Sequence, residues 1–130
     1  MLAGMFVASG PRLAAAVTNA GGIGVIGGLT LSPKQLRVQI ADLKAQLNDK
    51  KAPFGVDLAI PKIGGGARKT NHDYTHGHLN ELIDIIIEEK AKLFVCAIGV
   101  CPKEIVDKLH AGGVYVANVS GSSLTFLTSR

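Results

Sequence analysis

Short β-branched runs alternate with amphipathic stretches along this chain. Ile23-Gly24-Val25-Ile26, Phe54 to Ile60, Leu93 to Val100 and Val114 to Val119 are apolar at nearly every position, as strands buried on both faces must be. The stretches between them carry the helical period. Ser32-Pro33-Lys34-Gln35 reads as a capping box with Pro at the first helical position, where no partner for its missing N–H is needed. Leu36, Ile40, Leu43 and Leu47 then stripe one face, and Leu79, Leu82, Ile83 and Ile86 repeat the spacing. Pro102 opens a helix with Ile105, Val106 and Leu109, which Gly112-Gly113 ends. An Ala-rich helix from Pro11 to Ala20 stops at Gly21-Gly22, and residues 1–7 leave room for a truncated strand.

Repeating βα units imply an α/β fold with parallel pairing and right-handed crossovers. Four or five units build either a small doubly wound sheet or the first half of a (β/α)₈ barrel, which takes about 200–250 residues. Periodicity does not choose between them. With 130 residues, 47% of them hydrophobic, the chain can bury one core and is too short for two ordinary domains. Its 18% charged content is too low for a disordered chain, and its 16 glycines follow no fixed period. The net charge of +4 raises nucleic acid as a partner, but 14 basic residues are spread along the chain among 10 acids. That is a mildly basic surface rather than a phosphate-tracking stripe, so no nucleic-acid partner is expected. No apolar stretch reaches the roughly 18 residues of a membrane span. Met1 to Ala8 lacks the basic start of a signal peptide. Cys96 and Cys101 form no disulfide framework. The expectation is a cytoplasmic protein with no membrane partner.

Several constellations invite chemistry. Gly22-Ile23-Gly24-Val25-Ile26-Gly27 matches G-x-G-x-x-G, but a helix precedes it and a strand runs through it, the reverse of a dinucleotide loop. It reads as a helix C-cap followed by close strand packing. His72, His76 and His78 with Asp73 crowd one segment. Zinc ligands usually come from separate elements, so a polar loop is the better reading and no metal site is assigned. Gly64 to Thr70 resembles a phosphate cradle without the Walker spacing, inside a candidate functional loop from Pro61 to Gly77 where Arg68 or Lys69 could meet an anion. His110, in a last helical turn, suits the helix dipole. Asp57 stands alone as a carboxylate in an apolar strand. Unpartnered burial there costs several kcal/mol or raises its pKa, so it either faces a ligand at the strand's C-terminal edge or has a structural partner.

Taken together, these segments resemble the nitronate monooxygenase family, formerly the 2-nitropropane dioxygenases, and its fungal-type members in particular. The resemblance rests on Gly10 to Gly28, on Phe54-Gly55-Val56-Asp57-Leu58, on Leu93 to Pro102, and most specifically on Gly66 to Thr75 followed by Leu79 to Asp84. It covers residues 1–119. It implies an FMN-dependent oxidoreductase on a (β/α)₈ TIM barrel that converts alkyl nitronates with O₂ to carbonyl compounds and nitrite. It places flavin contacts at Leu2, Ala3 and Gly4, where a Pro-Met pair is usual, and at Asp57, where Asn is commoner. Cys96, Ala97 and Gly99 fall on the substrate side. The family's catalytic His belongs to a later Gly-rich motif, so no catalytic residue is assigned here.

The expectation is therefore the N-terminal half of such a barrel over residues 1–119, with a divergent tail over 120–130. A truncated, inactive fragment of this kind would bind FMN weakly or not at all and would self-associate through exposed sheet edges. A flavodoxin-like α/β binding module, a non-catalytic fragment pairing with a full-length protein, and another FMN enzyme on the same scaffold are the alternatives.

Overall fold

The computed structural model describes residues 1–60, 72–98 and 100–119. Helices and strands alternate in the expected order: α1 (Pro11–Asn19), β1 (Gly24–Gly27), α2 (Pro33–Gln46), β2 (Phe54–Ala59), α3 (Leu79–Glu88), β3 (Leu93–Ala97), α4 (Lys103–Ala111) and β4 (Tyr115–Asn118). All neighbouring strands pair in parallel, and the sheet order β1-β2-β3-β4 follows the chain. Buried residues of all four helices, among them Ala14, Leu36, Ile83 and Leu109, join one core with Ile26, Val56, Leu58, Phe94 and Cys96 of the strands. The helices thus cover one face of a sheet that has no switch point. A doubly wound sheet reverses its strand order and carries helices on both faces, so this is the architecture of a (β/α)₈ barrel in its first units. The doubly wound alternative does not fit.

Local chemistry explains where the elements stop. The Ser32 hydroxyl accepts from Gln35 N–H at 3.3 Å while Gln35 Oε1 accepts from Ser32 N–H at 2.9 Å, completing the capping box of α2. At its other end Lys50 Nζ donates to the carbonyls of Lys44, Ala45 and Leu47. One lysine of the Lys50-Lys51 doublet is therefore spent on the helix terminus. Gly21, at φ 87°, turns the chain out of α1 in a conformation that glycine adopts without steric cost. Thr18 then ties that turn to the sheet: it accepts from Gly24 N–H at 2.9 Å and donates to the Pro53 carbonyl at 3.3 Å. A Cβ on Gly24 would run into the Ala14 carbonyl of α1.

Three boundaries differ from the sequence reading. The run from Val114 to Val119 is not buried on both faces. Tyr115 is 74% exposed and β4 is an edge strand among the described residues, so its apolar residues reflect β propensity rather than full burial. The run from Leu93 to Val100 stops being strand at Ala97, because Ile98 adopts φ 74° and leaves the extended region. Residues 1–7 form no strand. They nevertheless bond to the outer edge of β1, Leu2 N–H donating to the Ile23 carbonyl at 3.0 Å. The expected loop residues from Pro61 to Asn71, with Arg68 and Lys69, and the tail from Ser120 lie outside the described residues.

Two substitutions test this packing. Gly24→Ala forces α1 off β1 and is expected to lower the unfolding free energy by at least about 2 kcal/mol. Ser32→Ala removes half of the capping box and is expected to lower it by about 1 kcal/mol. Urea denaturation followed by circular dichroism reads both, and equal stabilities would contradict the contacts described.

Candidate functional site

Side chains alternate across a strand, so the face not covered by helices is fixed once the core face is known. Pairing aligns Val25, Gly55, Leu93 and Tyr115 in one row of that second face, and Gly27, Asp57, Val95 and Ala117 in the next. Ala59 and Ala97 follow towards the C-terminal strand ends. Asp57 is thus the single charged residue in three rows of otherwise uncharged side chains, small and aliphatic except for Tyr115 at the edge. It lies towards the strand end where barrel enzymes carry their sites.

The N-terminal segment closes over this row. A Cβ on Gly4 would lie 2.7 Å from Asp57 Cγ and 2.9 Å from Oδ2, and one on Gly27 would lie 2.7 Å from the Met5 carbonyl oxygen. The two missing side chains are what allow the backbone of residues 4–6 to rest on β1 and β2. Ser9 holds the segment in a tight turn. It accepts from Met5 N–H and donates to the Met5 carbonyl at 2.9 Å, and its own carbonyl accepts from Gly27 N–H at 3.1 Å. The sequence reading missed Ser9, which belongs to no motif. It took Gly27 as close strand packing, and the backbone that approaches it, Met5 and Phe6, comes from a segment distant along the chain.

Asp57 is only 7% exposed, and burial pushes its carboxyl up to about 6. Among the described residues no hydrogen bond or ion pair to its carboxylate accompanies that burial. Because no fully occluded side-chain oxygen among the described residues lacks a partner, the carboxylate oxygens keep some contact with solvent.

The other expected site residues divide. Leu2, Ala3 and Gly4 lie in the segment beside β1 and Asp57, and Ala97 closes β3 on the same face. Cys96 is turned the other way. It is fully buried in the helix-facing core, and its thiol beside Cys101 holds the Cys101 thiol below its usual range. Gly99 lies outside the described residues. In the His-rich segment, Asp73 accepts from Thr75 N–H at 2.8 Å, Thr75 Oγ1 at 2.6 Å and Gly77 N–H at 2.8 Å. These bonds hold its carboxyl below the usual carboxylate range and commit it to shaping the turn before α3. Two surface clefts, one lined by His110, Gly113, Val114 and Tyr115 and one by Val7, Ala8, Gly10, Pro11, Arg12, Leu13 and Gln46, do not include Asp57.

Comparison with known proteins gives this arrangement a context. The sequence profile of nitronate monooxygenase matches residues 1–126. This chain belongs to the nitronate monooxygenase family. It is also 34% identical over 121 residues, 92% of its length, to a Rhodococcus jostii (strain RHA1) protein named (3aS,4S,5R,7aS)-5-hydroxy-7a-methyl-1-oxo-octahydro-1H-indene-4-carboxyl-CoA dehydrogenase. Among solved structures, FabK from Thermotoga maritima superimposes with a TM-score of 0.78 at 28% identity, over 98% of this chain and 35% of FabK. Nitroalkane oxidase from Streptomyces ansochromogenes superimposes with a TM-score of 0.81 at 19% identity, over 99% of this chain and 42% of the oxidase, and so speaks for the fold alone. The chain spans 29% of the Rhodococcus relative's length. The family is one of flavin-dependent oxidoreductases. No helix among the described residues is long and apolar enough to cross a membrane.

The raised Asp57 carboxyl has a thermodynamic consequence. The folded state holds the proton more tightly than the unfolded chain, so the stabilisation is complete below about pH 4 and is lost as pH rises through about 6. Asp57→Asn is expected to abolish that loss and to stabilise the protein at pH 7 by on the order of 2 kcal/mol relative to wild type. Asp73, shifted the other way, contributes equally to both proteins and cancels in the difference. Urea midpoints of the pair between pH 4 and 8 measure it. A pH-independent difference would show that Asp57 is not desolvated.

Proposed function

We propose that this chain supplies one wall of an FMN-dependent oxidoreductase, with the Leu2–Gly4 backbone and Asp57 facing one edge of the flavin ring. The observation that carries this reading is the single carboxylate, buried and without a partner among the described residues, set beneath a backbone segment that two glycines admit. The donor set fits a flavin's pyrimidine edge. An ionised Asp57 accepts from a ring N–H, a protonated one also donates to a ring carbonyl, and main-chain groups of residues 2–4 add further polar contacts. Among the described residues no cationic side chain acts on Asp57. When bound, the flavin supplies the electron transfer. The chain's own residues orient one ring edge, keep water from it with Val25 and Val95, and leave room above Ala59 and Ala97 for a small substrate.

In this reading the longer proteins of the family type oxidise alkyl nitronates with O₂ to carbonyl compounds and nitrite. Among the described residues four strands in an open row flank the ring on one side only, and in this reading the chain by itself binds FMN weakly and does not turn over. A second substrate class is favoured by the 34% identity to the Rhodococcus dehydrogenase, whose name specifies a carboxyl-CoA thioester. In a longer homologous chain that contains these residues, nitrite release marks the first class and oxidation of the thioester the second.

The test uses the chain as it stands. Incubated with excess FMN and passed through gel filtration, it is expected to lose most of the flavin and to release no nitrite from propyl nitronate. A stoichiometric yellow complex with sustained nitrite production would overturn the inactivity.

A further inference from the structure

Resting on the flavin-wall reading, we propose that Asp57 engages the flavin ring as the neutral acid, so that filling this site takes up one proton. A carboxylic acid presents a donor and an acceptor side by side, matching a ring edge where a carbonyl adjoins an N–H. The ionised form offers acceptors only and sets one oxygen against the ring carbonyl. The carboxylate oxygens, which lie under Gly4 between β1 and β3, keep some contact with solvent. A ring laid across them removes that contact and disfavours the charged form further.

Nothing nearby competes for this role among the described residues. Residues 1–9 carry no ionisable side chain, and Met1, which bears the α-amino group, is 75% exposed. β1 has no titratable residue, and the single one of β3, Cys96, faces the helices. A cation would instead prefer the ionised form, but no cluster of three or more metal-ligating side chains occurs among the described residues. The free acid already lies within reach of neutral pH, because the apolar rows and the overlying backbone hold the carboxyl near 6.

Riboflavin is the appropriate probe. It lacks the phosphate of FMN, whose second ionisation near pH 6 would overlap that of Asp57. Quenching of riboflavin fluorescence by the full chain, titrated between pH 5 and 8, is expected to give a dissociation constant that is flat below about pH 6 and rises about tenfold per pH unit above it. Asp57→Asn, which keeps a donor and an acceptor without the titration, is expected to bind equally at every pH and more tightly than wild type at pH 8. Wild-type binding that is independent of pH, or stronger at pH 8 than at pH 5, overturns the proton coupling while leaving the flavin wall intact. Absence of quenching by both proteins at pH 5, with circular dichroism showing them folded, overturns the flavin wall itself.

Discussion

Alternation along β2 puts Val56 and Leu58 into the helix-facing core and turns Asp57 to the opposite face. A one-residue slip would drive the carboxylate among Ile26, Phe94 and the aliphatic faces of α2 and α3, with no partner for it there. The register of the parallel ladder therefore decides which face of the sheet Asp57 takes. That register is held by burial. Ile26, Leu36, Ile40, Leu43, Leu58, Ile83, Ile86 and Phe94 are each almost completely removed from solvent, and each contributes about 1.5–3 kcal/mol. The core can accommodate a carboxylate held in an environment that raises its pKa because the fold is secured on the other face of the same strand.

The second constraint is backbone proximity. Residues 4–6 reach the sheet only because Gly4 and Gly27 lack side chains, and Ser9 pins the turn that returns the chain to α1. The segment desolvates Asp57 without offering it a hydrogen bond. Protein sites that must stay responsive to a ligand are built this way: a polar group is confined and its pairing left incomplete. Ion pairs do different work here. Arg37 with Glu88 and Lys108 with Asp84, each at 2.6 Å, join neighbouring helices on the exposed side. Being open to solvent, they add little stability beyond fixing how adjacent helices meet.

Family membership and geometry complement each other. The match over residues 1–126 establishes descent within an oxidoreductase family. The sequential strand order and one-sided helices show why the same 130 residues superimpose on about a third to two fifths of larger proteins. Asp57 is an acid buried on the sheet face away from the helices, and desolvation raises its pKa.

Local pattern determined most of the architecture. The capping box at Ser32, the stripes from Leu36 and Leu79, the Gly21 and Gly112-Gly113 stops and the β-branched runs placed every helix and strand to within a few residues, because caps and periodicity act between neighbours in the chain. The lone carboxylate was visible for the same reason: an Asp in an apolar strand contradicts its surroundings. Tertiary structure decided the rest. Whether Asp57 has a partner, which way Cys96 points, that β4 is an edge and that Gly4 lies on Asp57 all depend on pairings across many residues of intervening chain. Local sequence carries no information about distances of that kind. They are fixed only when the sheet register and the path of the backbone over it are settled together.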